Sequence, residues 1–245
     1  MYKGASFRLA MCQHGDVSAR RVVCFLGWAM VTTWVLICAP YNIQSVRAAP
    51  CPDVEVVFAR ATTEPPGVGE VGQAFADSLR AQAGGRSIGL YAVDYPATED
   101  FAASASIGAD DARAHVQYVA TTCPNTRIVL GGYSQGALVI DLITAIPVSF
   151  AGFTPAPMPP EVASHVAAVA VFGNPLDRFV GSPLTAVSPL YAEKAVDLCA
   201  AADPICSPGG GLSPPTRDEM FSAAHLSYVR SGMVSQAAAF AAGRL

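Results

Sequence analysis

A serine can attack a carbonyl carbon only if a base takes its proton and an acid holds that base in place. Gly132-Tyr133-Ser134-Gln135-Gly136 offers such a serine. It follows the strand-like run Arg127 to Gly131 and opens a helix-like run from Ala137 to Ala145. Strand, sharp turn and helix, with the serine at the apex, lifts a hydroxyl out of a sheet. Side chains two residues before and after would crowd that turn, and Gly132 and Gly136 carry none. The competing reading is a glycine-rich loop whose serine caps a helix.

In this arrangement the partners follow the serine in the order acid, then histidine. Two histidines lie beyond Ser134. His165 sits where an apolar strand begins, the wrong end of a parallel sheet, because sites gather at the carboxyl ends. His225, after the last strand and at the start of the closing helix, can reach the carboxyl edge and is the expected base. Asp141 lies about ten ångström along the serine helix and is carried away from the hydroxyl. Asp203 lies between Cys199 and Cys206, where a disulfide would hold the loop, and is favoured as the acid. Asp177, and then Asp197, are the alternatives. The oxyanion needs two donors. One is the backbone N–H of Gln135 at a helix start. The other should come from the loop Arg60-Ala61-Thr62-Thr63-Glu64, whose threonines read equally well as turn caps.

The elements that must position these residues alternate. Strands are expected at Val54–Ala59, Ser87–Val93, Ile128–Gly131, Val166–Phe172 and, shorter, Val196–Cys199. Helices are expected at Val68–Gln82, Ser106–Thr122, Gln135–Ala145 and Ala223–Ala242. Strands separated by helices indicate an α/β fold with a mostly parallel, five-stranded sheet between two helical layers. Val166–Phe172 is almost wholly apolar, so it should be buried on both faces.

The chain has 245 residues, but the first 48 read as a leader. Arg20-Arg21 precede an apolar run from Val22 to Ala39, and Val46-Arg47-Ala48 ends in small residues, the layout of a secretory signal. At about 18 residues the run is also long enough for an uncleaved anchor. Residues 49–245 then form one domain. From Ala49 onward there are 10 Lys+Arg and 18 Asp+Glu, a net of −8. With no basic face, a nucleic-acid partner is not expected. Cys51, Cys123, Cys199 and Cys206 follow the leader, and four cysteines in an exported domain suggest two disulfides. The short spacing pairs Cys199 with Cys206 and leaves Cys51 for Cys123. No Cys-x2-Cys pair occurs and only four histidines are present, so no metal and no cofactor is expected.

These residues resemble the cutinase family, small serine esterases of the α/β-hydrolase class. Phe58-Ala59-Arg60-Ala61-Thr62-Thr63-Glu64 is similar to the family's F-A-R-G-[ST]-x-E. Cys123-Pro124 ahead of Gly131-Gly132-Tyr133-Ser134-Gln135-Gly136-Ala137 matches its C-P and G-G-Y-S-Q-G-A. Cys199, Asp203 and Cys206 match C-x3-D-x2-C, and His225 falls in its A-H-L-x-Y. The resemblance runs from Cys51 to about Tyr228. It implies a minimal α/β-hydrolase fold, a triad of Ser134, Asp203 and His225, Thr62 as the second oxyanion donor, and both disulfides. Ala61 stands where the family has glycine. The 18 residues between Cys206 and His225 are rich in Gly and Pro, and Ile146–Pro160 holds five prolines. Both segments should border the cleft.

The expectation is a secreted, cofactor-free, monomeric serine esterase acting on short- to medium-chain acyl esters, lipids or cutin-like polyesters. Association with a lipid interface or the cell envelope fits the leader. Acyl transfer to an alcohol, or a surface module with a retired site, are the rival readings.

Overall fold

The computed structural model describes residues 50–245. The leader and the question of its cleavage lie outside the described residues. Among the described residues no helix is long and apolar enough to cross a membrane.

Five strands, β1 (Val54–Ala59), β2 (Ile88–Ala92), β3 (Arg127–Tyr133), β4 (Val166–Phe172) and β5 (Ala195–Leu198), form one sheet in the order β2-β1-β3-β4-β5. All four pairings are parallel. Among the described residues seven α-helices accompany them: α1 (Gly69–Gln82), α2 (Phe101–Thr122), α3 (Gln135–Thr144), α4 (Leu176–Val180), α5 (Leu184–Val187), α6 (Arg217–Met220) and α7 (Met233–Ala242). Side chains alternate across β1. Val54, Val56 and Phe58 pack with α1 and α7, while Val57 and Ala59 pack with α2 and α3. The result is the three-layer α/β/α arrangement. Phe58, Phe75 and Phe172 meet with ring centroids 6.0–6.5 Å apart in the α1 layer. β4 is buried at every residue, as its unbroken apolar run requires.

The helix expected from Ser106 begins five residues earlier, at Phe101. Its first turn, Phe101-Ala102-Ala103-Ser104-Ala105, is too uniform to show a helical period. The single closing helix expected over 223–242 is two pieces. A 3-10 turn covers His225–Ser227, and α7 begins only at Met233. Gly232, at φ 81°, breaks the path between them. α4, α5 and α6, of four or five residues each, were not foreseen; so short an element carries no readable period. Both expected disulfides are present, Cys51–Cys123 and Cys199–Cys206.

Candidate active site

A parallel sheet delivers every strand end to one edge, and three of those ends carry the residues in question. Ser134 follows β3 at φ 56°, ψ −119°, a backbone conformation that non-glycine residues seldom adopt. The surroundings enforce it. An added Cβ at Gly136 would collide with the Ala59 carbonyl of β1, and one at Gly132 with the Gly136 carbonyl. The turn is therefore closed by backbone on both sides. The side chain of Gln135 is held by Ser104 Oγ, at 3.1 Å, and the Thr98 carbonyl, at 2.8 Å. Its backbone N–H lies in the first turn of α3, where no intrahelical acceptor exists.

The loop after β1 is braced by a buried charge network. Arg60, 4 % exposed, donates to the carbonyls of Glu64 at 2.9 Å and Tyr95 at 2.6 Å. The Tyr95 hydroxyl donates back to the Arg60 carbonyl. Glu64 accepts from the backbone N–H of Ala61 at 2.7 Å and of Glu70 at 2.9 Å. Thr63 is held at φ 65° and its N–H donates to Ala97. Thr62 is thus presented on a rigid loop. Its hydroxyl is buried without a hydrogen-bond partner, a costly state for a polar group.

His225 and Asp203 meet directly. His225 Nδ1 lies 2.8 Å from Asp203 Oδ2, and both side chains are buried. The same oxygen accepts from the Tyr228 hydroxyl at 2.6 Å, while Oδ1 accepts from the Ile205 N–H at 2.9 Å. Burial alone would raise the Asp203 carboxyl, but His225, Tyr228 and the Ile205 N–H together hold it below its ordinary value. An ionised Asp203 can only accept, so the proton between the two belongs to Nδ1 and leaves Nε2 with a lone pair. Tyr228 is itself fixed: its hydroxyl accepts from the Ala200 N–H at 3.0 Å, so its one proton points to Asp203. Burial, then the Asp203 charge, push that phenol far up, and it stays a donor. The Tyr133 hydroxyl donates to the His225 carbonyl at 2.5 Å. Gly173, at φ +54° past β4, leaves no room beside the pair; a Cβ there would lie 2.9 Å from His225 Cε1 and 3.2 Å from Asp203 Oδ2. Ser134 and His225 line one cavity together with Thr62.

The alternatives fall elsewhere. His165 lies at the opposite end of the sheet, its carbonyl accepting from Ile128 at the start of β3. Asp197 accepts from Asn174 Nδ2 and the Leu184 N–H, both at 3.0 Å. Burial raises its carboxyl to about 6 against those two donors. Asp141 is fully buried, 3.3 Å from the same Asn174, and burial followed by the nearby Asp197 charge pushes it far up. Asp177 lies in the first turn of α4 and adds to the field on Asp197. Asp141 and Asp197 share Asn174 as their hydrogen-bond donor, and none of the three carboxyls is a hydrogen-bond partner of His225. Tyr228, Tyr133 and the Arg60–Glu64–Tyr95 brace were missed from the sequence. Except for Tyr95, these residues stand in the motifs quoted above, which assign them no role, and Tyr228 also follows His225 by three residues, one helical turn. Among the described residues no group of three or more His, Cys, Asp or Glu could hold a metal ion.

The family model described as Cutinase matches residues 50–245. The chain belongs to the cutinase family. It is accordingly a carboxylic ester hydrolase with a minimal α/β-hydrolase fold. It is 51 % identical over 234 residues to Carboxylesterase Culp1 of Mycobacterium tuberculosis (strain ATCC 25618 / H37Rv), covering 94 % of this chain and 98 % of the relative. It is 47 % identical to Phospholipase Culp4 of the same strain, covering 93 % of each. Among solved structures, a Trichoderma reesei cutinase bound to a phosphonate inhibitor superposes with a TM-score of 0.58 at 32 % identity. The match covers 79 % of this chain and 77 % of that one. An acetylxylan esterase superposes at 0.65 with 25 % identity, covering 79 % and 99 %.

Proposed function

We propose that the chain hydrolyses carboxylic esters through an acyl-enzyme formed on Ser134. His225 Nε2 takes the hydroxyl proton as Oγ attacks the ester carbonyl carbon. The backbone N–H groups of Gln135 and Thr62 receive the oxyanion, with the Thr62 hydroxyl beside them. The tetrahedral intermediate collapses, the C–O bond to the alcohol breaks, and the imidazolium returns its proton to the leaving oxygen. Water, activated by the same imidazole, then releases the acid. Asp203 holds the tautomer and offsets the positive charge. The imidazole must come within hydrogen-bond reach of the hydroxyl, a contact that such sites often tighten only once substrate is bound.

The observation that carries this reading is the strained Ser134 sharing a cavity with His225, whose Nδ1 lies 2.8 Å from the buried Asp203 carboxylate. The similarity to a carboxylesterase and a phospholipase supports short- to medium-chain acyl esters, lipid esters included, as substrates. The basic and apolar leader, with two disulfides, supports export. Exposed Phe221, Leu226 and Val229 on the cavity wall suit work at a lipid surface. An alkylphosphonate fluorophore should label the parent and abolish hydrolysis of p-nitrophenyl butyrate, and Ser134→Ala should neither label nor hydrolyse. Labelling that persists in Ser134→Ala would move the nucleophile elsewhere.

A further inference from the structure

Ser134 stands where two cavities meet, and they differ in size and chemistry. The larger, about 480 Å³, includes His225 and Thr62, with the charged and exposed Glu70 and Arg230 on its rim. The smaller, about 250 Å³, opens on the Gln135 side. Leu138, Phe153 and Phe179 line it, with Phe153 and Phe179 ring centroids 6.4 Å apart. Leu212 and Pro214, from the Gly/Pro-rich segment before His225, close its other wall. Its two carboxylates, Glu99 and Asp100, are both solvent-exposed. Both cavities touch Ser134, but only the larger touches His225.

That asymmetry decides how an ester must lie. Its carbonyl carbon carries the alcohol oxygen and the acyl chain on different sides. When the C–O bond breaks, the departing oxygen takes the proton from Nε2, so the alcohol has to sit on the His225 side. The acyl chain stays bonded to Ser134 Oγ and must occupy space away from the imidazole. Building on the ester-hydrolase reading above, we infer that the smaller cavity is the acyl site, made for an unbranched uncharged alkyl chain, and the larger the alcohol site, made for a bulky polar alcohol such as a polyol. Apolar and aromatic walls suit methylene groups, each worth about 0.8 kcal/mol when buried. Thr63, Glu70 and Arg230 in the larger cavity offer partners to hydroxyl groups, which the uncharged inner wall of the smaller one does not, while Phe221, Leu226 and Val229 beside them can cover the carbon skeleton of a bulky alcohol.

The test uses the full chain and two substrate series. In one, p-nitrophenyl esters vary the acyl chain from about two to about twelve carbons. In the other, butyrate esters of ethanol, glycerol and a hexose vary the alcohol. Leu212 and Val229 are both solvent-exposed, so widening either to tryptophan leaves the core alone. Leu212→Trp should move the chain-length optimum to shorter acyl groups, lowering kcat/KM for the longest good substrate about tenfold relative to acetate. The alcohol ranking should not change. Val229→Trp should do the reverse, lowering kcat/KM for the glycerol and hexose esters about tenfold relative to ethyl butyrate and leaving the acyl profile alone. An exchange of the two effects, or substrate profiles identical to the parent in both variants, would overturn the partition while leaving the hydrolase reading intact. A parent chain inert toward every ester would overturn that reading, and this one with it.

Discussion

Tyr228→Phe removes one hydroxyl and nothing else, yet it should change catalysis, its pH dependence and stability together. The hydroxyl is one of three donors on Asp203 and, at 2.6 Å, the shortest contact the carboxylate makes. A hydrogen bond to a charged group contributes about 1.5–3 kcal/mol. With 1.36 kcal/mol to the pKa unit, its loss should raise the Asp203 carboxyl by roughly one to two units. The sign follows from its present state. The carboxyl is held low, so the ionised form that orients His225 is lost only as pH falls; with one donor fewer it is lost sooner. The acid limb of kcat/KM should therefore move to higher pH. If the bond is felt fully in the transition state, kcat falls about 10- to 150-fold. The Ala200 N–H, left buried without an acceptor, costs a further ~1–3 kcal/mol of stability, or about 2–12 °C in Tm. The assay is hydrolysis of p-nitrophenyl butyrate from about pH 4 to pH 9, quenched in alkali before reading, alongside thermal melting. A variant that melts earlier but keeps the parent's kcat and acid limb would refute the reasoning and leave Tyr228 as packing alone.

Thr62→Val replaces an unpaired buried hydroxyl with a methyl group, so melting should hold or improve. If that hydroxyl assists the oxyanion, kcat falls toward the 100-fold typical of one lost donor, and an unchanged kcat would leave the backbone N–H as the sole contribution of Thr62. Gly136→Ala forces a Cβ into the Ala59 carbonyl and should cost about 3 kcal/mol or more, lowering Tm by some 6–12 °C; a neutral melt would show that β1 can yield. Asp197, raised to about 6 in the fold, contributes stability that is full below its unfolded value near 3.8 and fades as pH rises through 6. Asp197→Asn should therefore gain on the parent in Tm as pH rises from about 4 to about 6 and hold that gain above it, and a constant difference across about pH 4–6 would show that Asp197 does not titrate there. Mild reduction of Cys199–Cys206 should lower activity before the fold is lost, because that bridge closes the loop carrying Asp203; simultaneous loss would make it purely structural.

Much of the architecture was legible because burial writes itself into a strand. β1 and β4 match their expected limits to the residue, since Asp53 and Arg60 flank the one and His165 and Gly173 the other. The residues around Ser134 were legible for a different reason. A turn closed by backbone on both sides tolerates only glycine at 132 and 136, so geometry shows as composition. What could not be read is what depends on distance in space. Arg60 meets Tyr95 across 35 positions and Tyr228 meets Asp203 across 25, and neither spacing is periodic. The break falls at Ser231-Gly232, a local turn signal outweighed in the reading by the alanines on either side at 223–224 and 237–242. The preference for Asp203 over Asp177 drew on the cysteines flanking it, and the structure shows why flanking matters: the stapled turn lends the Ile205 N–H to the carboxylate.

Position 173 holds a lesson for how such a molecule would decay. Nothing with a β-carbon fits between the strand that ends there and the imidazole it supports. A duplicated copy that drifted at this one position would keep its sheet, both its bridges and the residues at 134, 203 and 225, while the ring was levered off its line. On the proposed triad, inspection of those three letters alone would count the copy as alive, so a census of silent relatives should begin with the glycine.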